Sequence, residues 1–134
     1  MDVFRIGMVS RIDYETGMIA VAYPDRDNSA TQLLPYLQMG GEYHMPQLEQ
    51  KVAVLHLSTG GEVGVVLGPF WEAAAKPPSS GNDYFRKELS NTPGKAYIEH
   101  DAETGELVIR ADAIRLQTEG GSVSISDLLQ EGGA

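Results

Sequence analysis

The chain has 134 residues, no cysteine, 42% apolar residues and a formal net charge of −9. This length allows one ordinary domain, or a small domain with an extension. The missing cysteines exclude disulfides, thiol catalysis and thiolate metal sites, and the acidic balance provides no basic surface for nucleic acid. No apolar run approaches the ~20 residues of a transmembrane helix. The N-terminus lacks a signal-peptide pattern, so we expect assembly in a cytoplasm.

The first forty residues predict three strands, at 3–12, 18–23 and 32–37. Gly7 lies inside the first strand and suggests a bulge or bend there. Pro24 ends the second strand, because proline cannot donate to a ladder. Pro35 interrupts the third strand, which therefore reads as an edge or a bend.

The clearest pattern is a hairpin between residues 45 and 71. Its apolar strands, 52–57 and 63–67, are joined by a turn at Gly60-Gly61, and such a pair predicts a buried hairpin. Five short strands within about seventy residues are typical of a small closed or partly open barrel. The sequence thus predicts an all-β N-terminal domain over residues 1–71.

Residues 72–94 differ in composition, with an alanine run followed by prolines, serines, glycine and asparagine. This composition predicts a linker. Beyond it, residues 95–134 return to strands in which apolar and polar residues alternate, at 95–100, 106–111, 114–118 and 122–126. The linker therefore separates two β domains.

The C-terminal strands have one apolar face and no second layer to cover it, and a lone small sheet is marginal in water. Either this sheet folds back on the barrel, or identical chains pool their apolar stripes around a shared axis. The prolines and polar residues of the linker favour the second solution. A threefold prism is the natural closed form, although the residues alone do not fix the number three. Its core candidates are Ile98, Leu107, Ile109, Ile114, Leu116, Val123 and Ile125.

Candidate catalytic groups are few. Asp25 and Asp27 could be paired carboxylates, but a solvated turn is the commoner meaning of such a loop. His56 lies within an apolar strand and is interpreted as a half-buried structural residue. His44 lies in a glycine-rich loop, which favours a surface or interface role for it. His100 has no second histidine beside it with which to form a metal site. No nucleophile–base pair, cofactor site or metal site is predicted.

Two further residue sets have simple interpretations. The carboxylates Glu15, Asp101 and Glu103 lack the EF-hand spacing for calcium, and the D-x-E-T-G sequence that begins at Asp13 and again at Asp101 favours convergent turn chemistry over a repeat. Four tyrosines could stack on nucleic-acid bases if they lined a barrel. Because no basic residues are interleaved with them, a place in the core or at an interface is favoured. They are Tyr14, Tyr23, Tyr36 and Tyr43.

Residues 4–70 resemble the OB-fold domain of phage baseplate assembly protein V, the central spike family shared with the VgrG spikes of type VI secretion. The resemblance rests on short matches in chain order: Tyr23-Pro24-Asp25, Leu34-Pro35-Tyr36-Leu37, the Gly41-to-Pro46 loop and Gly64-Val65-Val66-Leu67-Gly68. One departure stands before the second-last strand, where the family's glycine is replaced within Glu49-Gln50-Lys51.

The resemblance implies a five-stranded OB-fold barrel, then a short trimeric β-helix or β-prism. It implies a homotrimer in the baseplate of a virion or phage-tail-like particle, such as a bacteriocin or another contractile injection system. The partners would be a baseplate hub protein and, transiently, the cell envelope; a tip-capping protein and a tape measure protein remain open. The spike would plug the tube and act mechanically, with no cofactor. The chain lacks the family's H-x-H iron motif at its end. The alternative is a monomeric OB-fold binding module for nucleic acid or glycan.

Overall fold

The computed structural model describes residues 3–57 and 63–132, and these residues are mostly β, as the alternating patterns predict. The chain divides into two compact units, Met1–Lys76 and Pro77–Ala134. The predicted Gly60-Gly61 turn lies outside the described residues.

The N-terminal unit is built on one antiparallel sheet with the strand order β3-β2-β1-β4-β5. β1 is the longest of these strands and pairs with both β2 and β4, so that Met8 lies opposite Ala22 on one side and Lys51 on the other. The described strands are β1 (Phe4–Asp13), β2 (Met18–Tyr23), β3 (Ser29–Ala30), β4 (Lys51–His56) and β5 (Gly64–Gly68).

The third strand was predicted at 32–37, and this is wrong: β3 occupies Ser29–Ala30, and the later segment is reduced to isolated bridges. Pro35 explains the break, because it lacks the N–H that a continuous ladder needs. Leu34 nevertheless exchanges two backbone hydrogen bonds, of 2.8 and 2.9 Å, with Ile19 of β2.

The same segment also reaches the other side of the sheet. The N–H of Val66 in β5 donates to the carbonyl of Pro35, and the N–H of Leu37 donates to the carbonyl of Val66, each at 2.9 Å. Leu34 is antiparallel to β2, whereas Tyr36 is parallel to β5. Residues 34–37 therefore connect the two outer sides of the sheet.

Inward side chains of these strands form a compact core, because alternate residues of a strand point to the same face. Gly7 belongs to this packing rather than to a bulge: a Cβ there would overlap Val21 and lie 2.8 Å from the carbonyl of Ala22. The irregularity in β1 lies instead between Val9 and Arg11. The core residues are Val9, Ile19, Val21, Tyr23, Leu34, Val52, Val54 and Val66.

The C-terminal unit contains a three-stranded antiparallel meander, a separate two-stranded hairpin and a terminal helix. The meander is β6 (Tyr84–Glu88), β7 (Tyr97–Asp101) and β8 (Glu106–Arg110). The hairpin is β9 (Arg115–Thr118) and β10 (Gly121–Ser124), and the helix is α1 (Ile125–Gly132).

Two predictions about this half need correction. The linker predicted at 72–94 contains β6, which pairs along its length with β7. The last strand was predicted to include Ile125, but β10 ends at Ser124 and Ile125 begins α1. The linker was predicted from composition, whereas the pairing of β6 with β7 decides the structure there. The last strand was predicted from alternation, whereas the residues after Ile125 continue as a helix.

The two D-x-E-T-G loops adopt the same turn. In each loop the glycine N–H donates to the aspartate carbonyl at 2.8 Å, for Gly17 to Asp13 and for Gly105 to Asp101. Each glycine has a positive φ, of 75° and 73° respectively. This conformation is one that glycine adopts without a steric cost.

Candidate functional site

The three-stranded sheet of the C-terminal unit has two faces of opposite chemistry. Its register places Phe85 opposite His100, and His100 opposite Leu107. One step along the same face, Lys87 lies opposite Ile98, and Ile98 opposite Ile109. We call this the apolar face; the other, polar face carries the residues between them.

The polar face is held together by a charged network around Arg86. Its Nε lies 2.5 Å from Glu88 Oε2, one terminal nitrogen lies 3.0 Å from Glu99 Oε2, and the guanidinium stacks 3.6 Å from the ring centre of Tyr97. Hydrogen bonds from Arg86 and then from the backbone N–H of Gly94 lower the pKa of the Glu88 carboxyl. These polar side chains are half-buried, so this face is already satisfied within one chain.

The apolar face is the exposed one. Leu107 is 63% exposed, Ile109 54% and Phe85 57%, and Leu89 beyond the end of β6 is also exposed. This reverses the usual arrangement, in which the apolar side of a sheet packs on a core and the polar side meets water. An exposed apolar patch of this kind is a candidate site of interaction with other molecules.

The hairpin β9–β10 repeats the pattern. Leu116 lies directly opposite Val123, and both are exposed. Ile114 and Ile125 lie at the open end of the hairpin, where the N–H of Ile125 donates to the carbonyl of Ile114 at 2.8 Å, and both side chains are half-buried.

The seven core candidates from the sequence thus fall into two groups. None of the side chains described between residues 77 and 130 is fully buried. Burial of one aliphatic side chain is worth about 1.5–3 kcal/mol, so the exposed members alone represent several kcal/mol that a single chain does not gain. The exposed members are Leu107, Ile109, Leu116 and Val123, and the half-buried members are Ile98, Ile114 and Ile125.

A second exposed apolar patch lies on the outer side of β1, β4 and β5, and sequence reasoning missed it. Phe4 lies opposite Leu55, and Leu55 lies opposite Val65. Phe4, Ile6, Leu55 and Leu67 are all exposed. The signal was present, because the continuous apolar runs of β4 and β5 are typical of strands covered on both faces rather than one.

A polar cluster in the N-terminal unit joins the buried Tyr23 and His56 to Arg5 and to the exposed Asp25. The Tyr23 hydroxyl and His56 Nε2 lie 2.5 Å apart, and the Arg5 guanidinium lies 3.7 Å from the ring centre of Tyr23. Arg5 also pairs with Asp25 at 2.9 Å. Burial raises the pKa of the Tyr23 phenol, and the positive charge of Arg5 partly opposes it.

Within this cluster, Tyr23 and His56 are buried. His56 is fully buried, not half-buried as predicted, and its Nδ1 has no hydrogen-bond partner. A Cβ at Gly64 would lie 3.1 Å from that Nδ1, so Gly64 permits the close approach of β5. Asp25 is engaged by Arg5, and Asp27 ends the short 3₁₀ turn at Pro24–Arg26 with a φ of 58°.

A shallow cleft of about 240 Å³ lies beside the loop at 38–45. The Tyr43 hydroxyl donates a hydrogen bond to the carbonyl of Tyr14 at 2.7 Å. This bond connects the loop to the turn between β1 and β2. Burial, and then the nearby charge of Glu42, raise the pKa of the Tyr36 phenol, which lines the cleft. His44 also lines the cleft, whereas His100 lies on the apolar face, in the other unit.

Within residues 3–57 and 63–132, no three histidine, aspartate or glutamate side chains are grouped to hold a metal ion. No helix among them is long and apolar enough to cross a membrane. A scan against protein-family models finds no match to the sequence, and a search of curated proteins finds none either.

Proposed function

We propose that this chain is the central spike of a contractile phage tail or phage-tail-like particle, and that it acts as a homotrimer. One observation carries the proposal: the C-terminal unit exposes its apolar face and satisfies its polar face internally. The exposed apolar side chains of such a unit become buried when the apolar faces of identical chains pack together. The resulting body is a short β-prism or β-helix with the Arg86 network outside.

An OB-type barrel is our proposal for the N-terminal unit. Its support is the pairing of residues 34–37, antiparallel to β2 and parallel to β5. With the strand order β3-β2-β1-β4-β5, this segment supplies the link by which a five-stranded sheet closes on itself. A closed barrel leaves no long free edge at which further strands could add.

The two apolar surfaces suit two different partners. We assign the C-terminal face to copies of the same chain and the outer patch of β1, β4 and β5 to a baseplate hub protein. Tip-capping and tape measure proteins remain candidate partners of the assembled spike. In this role the trimer plugs the tube, contacts the cell envelope transiently and acts mechanically, without turnover or cofactor.

A matched pair of variants tests the proposal. Ile109 lies on the apolar face, and its neighbour Val108 lies on the polar face opposite Glu99. Ile109→Lys places a charge in the proposed trimer core, and we expect the trimer to dissociate, because an unpaired charge is costly to bury. Val108→Lys places the same charge on the polar face, outside the proposed core, and the trimer should assemble as before. Sedimentation equilibrium of the full chain measures both.

The competing function is a monomeric OB-type module that binds nucleic acid or glycan. It would give a monomer whose mass is unchanged by either substitution. In the nucleic-acid case, a single-stranded oligonucleotide would bind with an affinity that falls steeply with salt. Either result would overturn the spike proposal.

A further inference from the structure

The cleft beside the loop at 38–45 combines aromatic rings with negative charge. Its lining includes the rings of Tyr36 and Tyr43 and the carboxylate of Glu42. Among the described residues that line it, none is a lysine or an arginine. After burial, the charge of Glu42 is the second cause of the raised pKa of the Tyr36 phenol, so this carboxylate acts on the aromatic part of the cleft. Ring faces and a carboxylate together attract a cation.

The loop that carries these side chains is held in shape by its own hydrogen bonds. The N–H of Gly41 donates to the side-chain carbonyl of Gln38, and the N–H of Glu42 donates to the carbonyl of Met39 at 3.1 Å. Gly40 and Gly41 have φ angles of 63° and 80°, which glycine adopts without a steric cost. The tyrosine hydroxyl described above ties the loop to the turn between β1 and β2. A preformed loop of this kind lowers the entropic cost of binding.

The chain itself shows twice which cation pairs with a tyrosine ring and a carboxylate. The guanidinium of Arg5 lies 3.7 Å from the ring centre of Tyr23 and 2.9 Å from the carboxylate of Asp25. The guanidinium of Arg86 lies 3.6 Å from the ring centre of Tyr97 and pairs with two glutamates. A guanidinium suits both sites, because its flat face stacks on a ring while its N–H groups donate to a carboxylate. The cleft supplies the ring and the carboxylate of the same combination.

The volume and charge of the cleft limit what can enter it. Its volume of about 240 Å³ is below the ~300–1,000 Å³ of sites that hold whole small-molecule ligands, so a single side chain suits it better. An arginine within a protein also lacks the α-carboxylate of the free amino acid, which Glu42 would repel. A carboxylate has about four acceptor positions, so Glu42 can receive a guanidinium beside the contacts that it already makes.

We propose that this cleft binds an arginine side chain of another protein, with the guanidinium stacked on Tyr43 and hydrogen-bonded to Glu42. Tyr43 is the accessible ring, because it is 62% exposed whereas Tyr36 is half-buried. The inference does not depend on the proposed trimer. It gives the N-terminal unit a site for a charged partner segment, apart from its outer apolar patch.

A blocked peptide with one arginine, acetyl-Gly-Arg-Gly-amide, tests the site, and acetyl-Gly-Lys-Gly-amide is the matched probe. Each peptide is titrated into the isotope-labelled full-length chain, and the backbone amide signals are followed by NMR. We expect the arginine peptide to shift the signals of residues 38–45 with a millimolar Kd. The lysine peptide should bind more weakly, because an ammonium lacks the flat face and the forked donors of a guanidinium. Free L-arginine should also bind more weakly, because its carboxylate is repelled.

Two pairs of variants locate the binding. Glu42→Gln should weaken binding of the arginine peptide by about two- to fivefold, the range of an exposed ion pair. Glu49→Gln removes a charge from a residue outside the lining and should leave the Kd unchanged. Tyr43→Phe and Tyr43→Leu both lose the hydroxyl, but only the second loses the ring. The leucine variant should therefore bind about two- to fivefold more weakly than the phenylalanine variant.

An arginine peptide that shifts no signal at tens of millimolar would overturn the proposal. Equal binding of the arginine and lysine peptides, or an unchanged Kd in Glu42→Gln, would contradict it as well. Shifts of the same residues by methyl glucoside, without binding of the arginine peptide, would identify a glycan site instead. Free L-arginine that binds more tightly than the peptide would rule out a protein side chain as the ligand.

Discussion

The two units of this chain use similar short antiparallel strands, yet they bury their side chains in different ways. The N-terminal unit encloses a core in which Leu34 and Val54 are almost wholly buried. The C-terminal unit has the same alternation of apolar and polar residues, but Leu107 and Ile109 remain exposed. Alternation shows that a strand has an apolar face; it does not show whether the same chain covers that face.

The difference has a topological origin. In the N-terminal unit, residues 34–37 connect β2 to β5, and the strands share a buried core. In the C-terminal unit, β6, β7 and β8 form an open meander, and the described helix α1 is only eight residues long. A small sheet with a single layer gains too little burial to be stable alone. The contrast separates a unit with its own buried core from one whose apolar face is exposed in the single chain.

The largest effect should come from truncating the same residue type in each unit. Leu34→Ala should lower the free energy of unfolding of the N-terminal unit by about 2–5 kcal/mol, because it leaves a cavity in a closed core. The loss should be the same at every protein concentration. Leu107→Ala is the matched variant, and its cost should appear only at concentrations where the chains assemble. Thermal unfolding followed across a concentration series measures both. A loss for Leu107→Ala that does not change with concentration would mean that one chain covers this face.

A smaller effect is expected from the charged network on the polar face. Because the folded-state pKa of Glu88 is lowered, its contribution to stability is complete above the ordinary glutamate pKa. It is lost as the pH falls through the lowered value. Glu88→Gln should therefore lower the melting temperature at about pH 7, by an amount equivalent to ~1 kcal/mol or less for a partly exposed pair. At about pH 2 the two proteins should melt alike. An equal difference at both pH values would contradict the ionic origin.

The smallest effect concerns backbone strain at Glu49. This residue has a φ of 69°, and its N–H donates to the carbonyl of Val9 at 2.7 Å. A non-glycine residue in this conformation costs roughly 1–2 kcal/mol, against a glycine entropy cost of 0.5–1 kcal/mol. Glu49→Gly should thus stabilise the N-terminal unit by about 0.5 kcal/mol in denaturant unfolding. Destabilisation would show that the carboxylate makes a stabilising contact here.

Much of the fold could be predicted from local patterns. Apolar runs located β1, β4 and β5, period-two alternation located β2 and most of the C-terminal strands, and turn chemistry located the loops at Gly17 and Gly105. The strand β6 was missed because the prolines and serines before it dominated the composition. The bridging role of residues 34–37 was missed because it depends on contacts with β5, far along the chain, which a local pattern does not contain.

The candidate site was partly predictable, because some of its residues belong to local patterns. Alternation identified Leu107, Ile109 and Leu116, because a narrow apolar stripe is visible in a strand's own sequence. Alternation did not show that Ile125 differs from these strand residues, because the helix that Ile125 begins depends on the residues that follow it. The outer patch of β1, β4 and β5 escaped notice because a continuous apolar run was interpreted as interior.

The mass of the full-length chain in solution tests the central claim most directly. If the apolar face of the C-terminal unit is covered by identical chains, sedimentation equilibrium should give three times the 14.5 kDa of a single chain. The trimer should persist at micromolar concentration. A single species of 14.5 kDa under the same conditions would contradict the account, because each chain would then tolerate its apolar face in water.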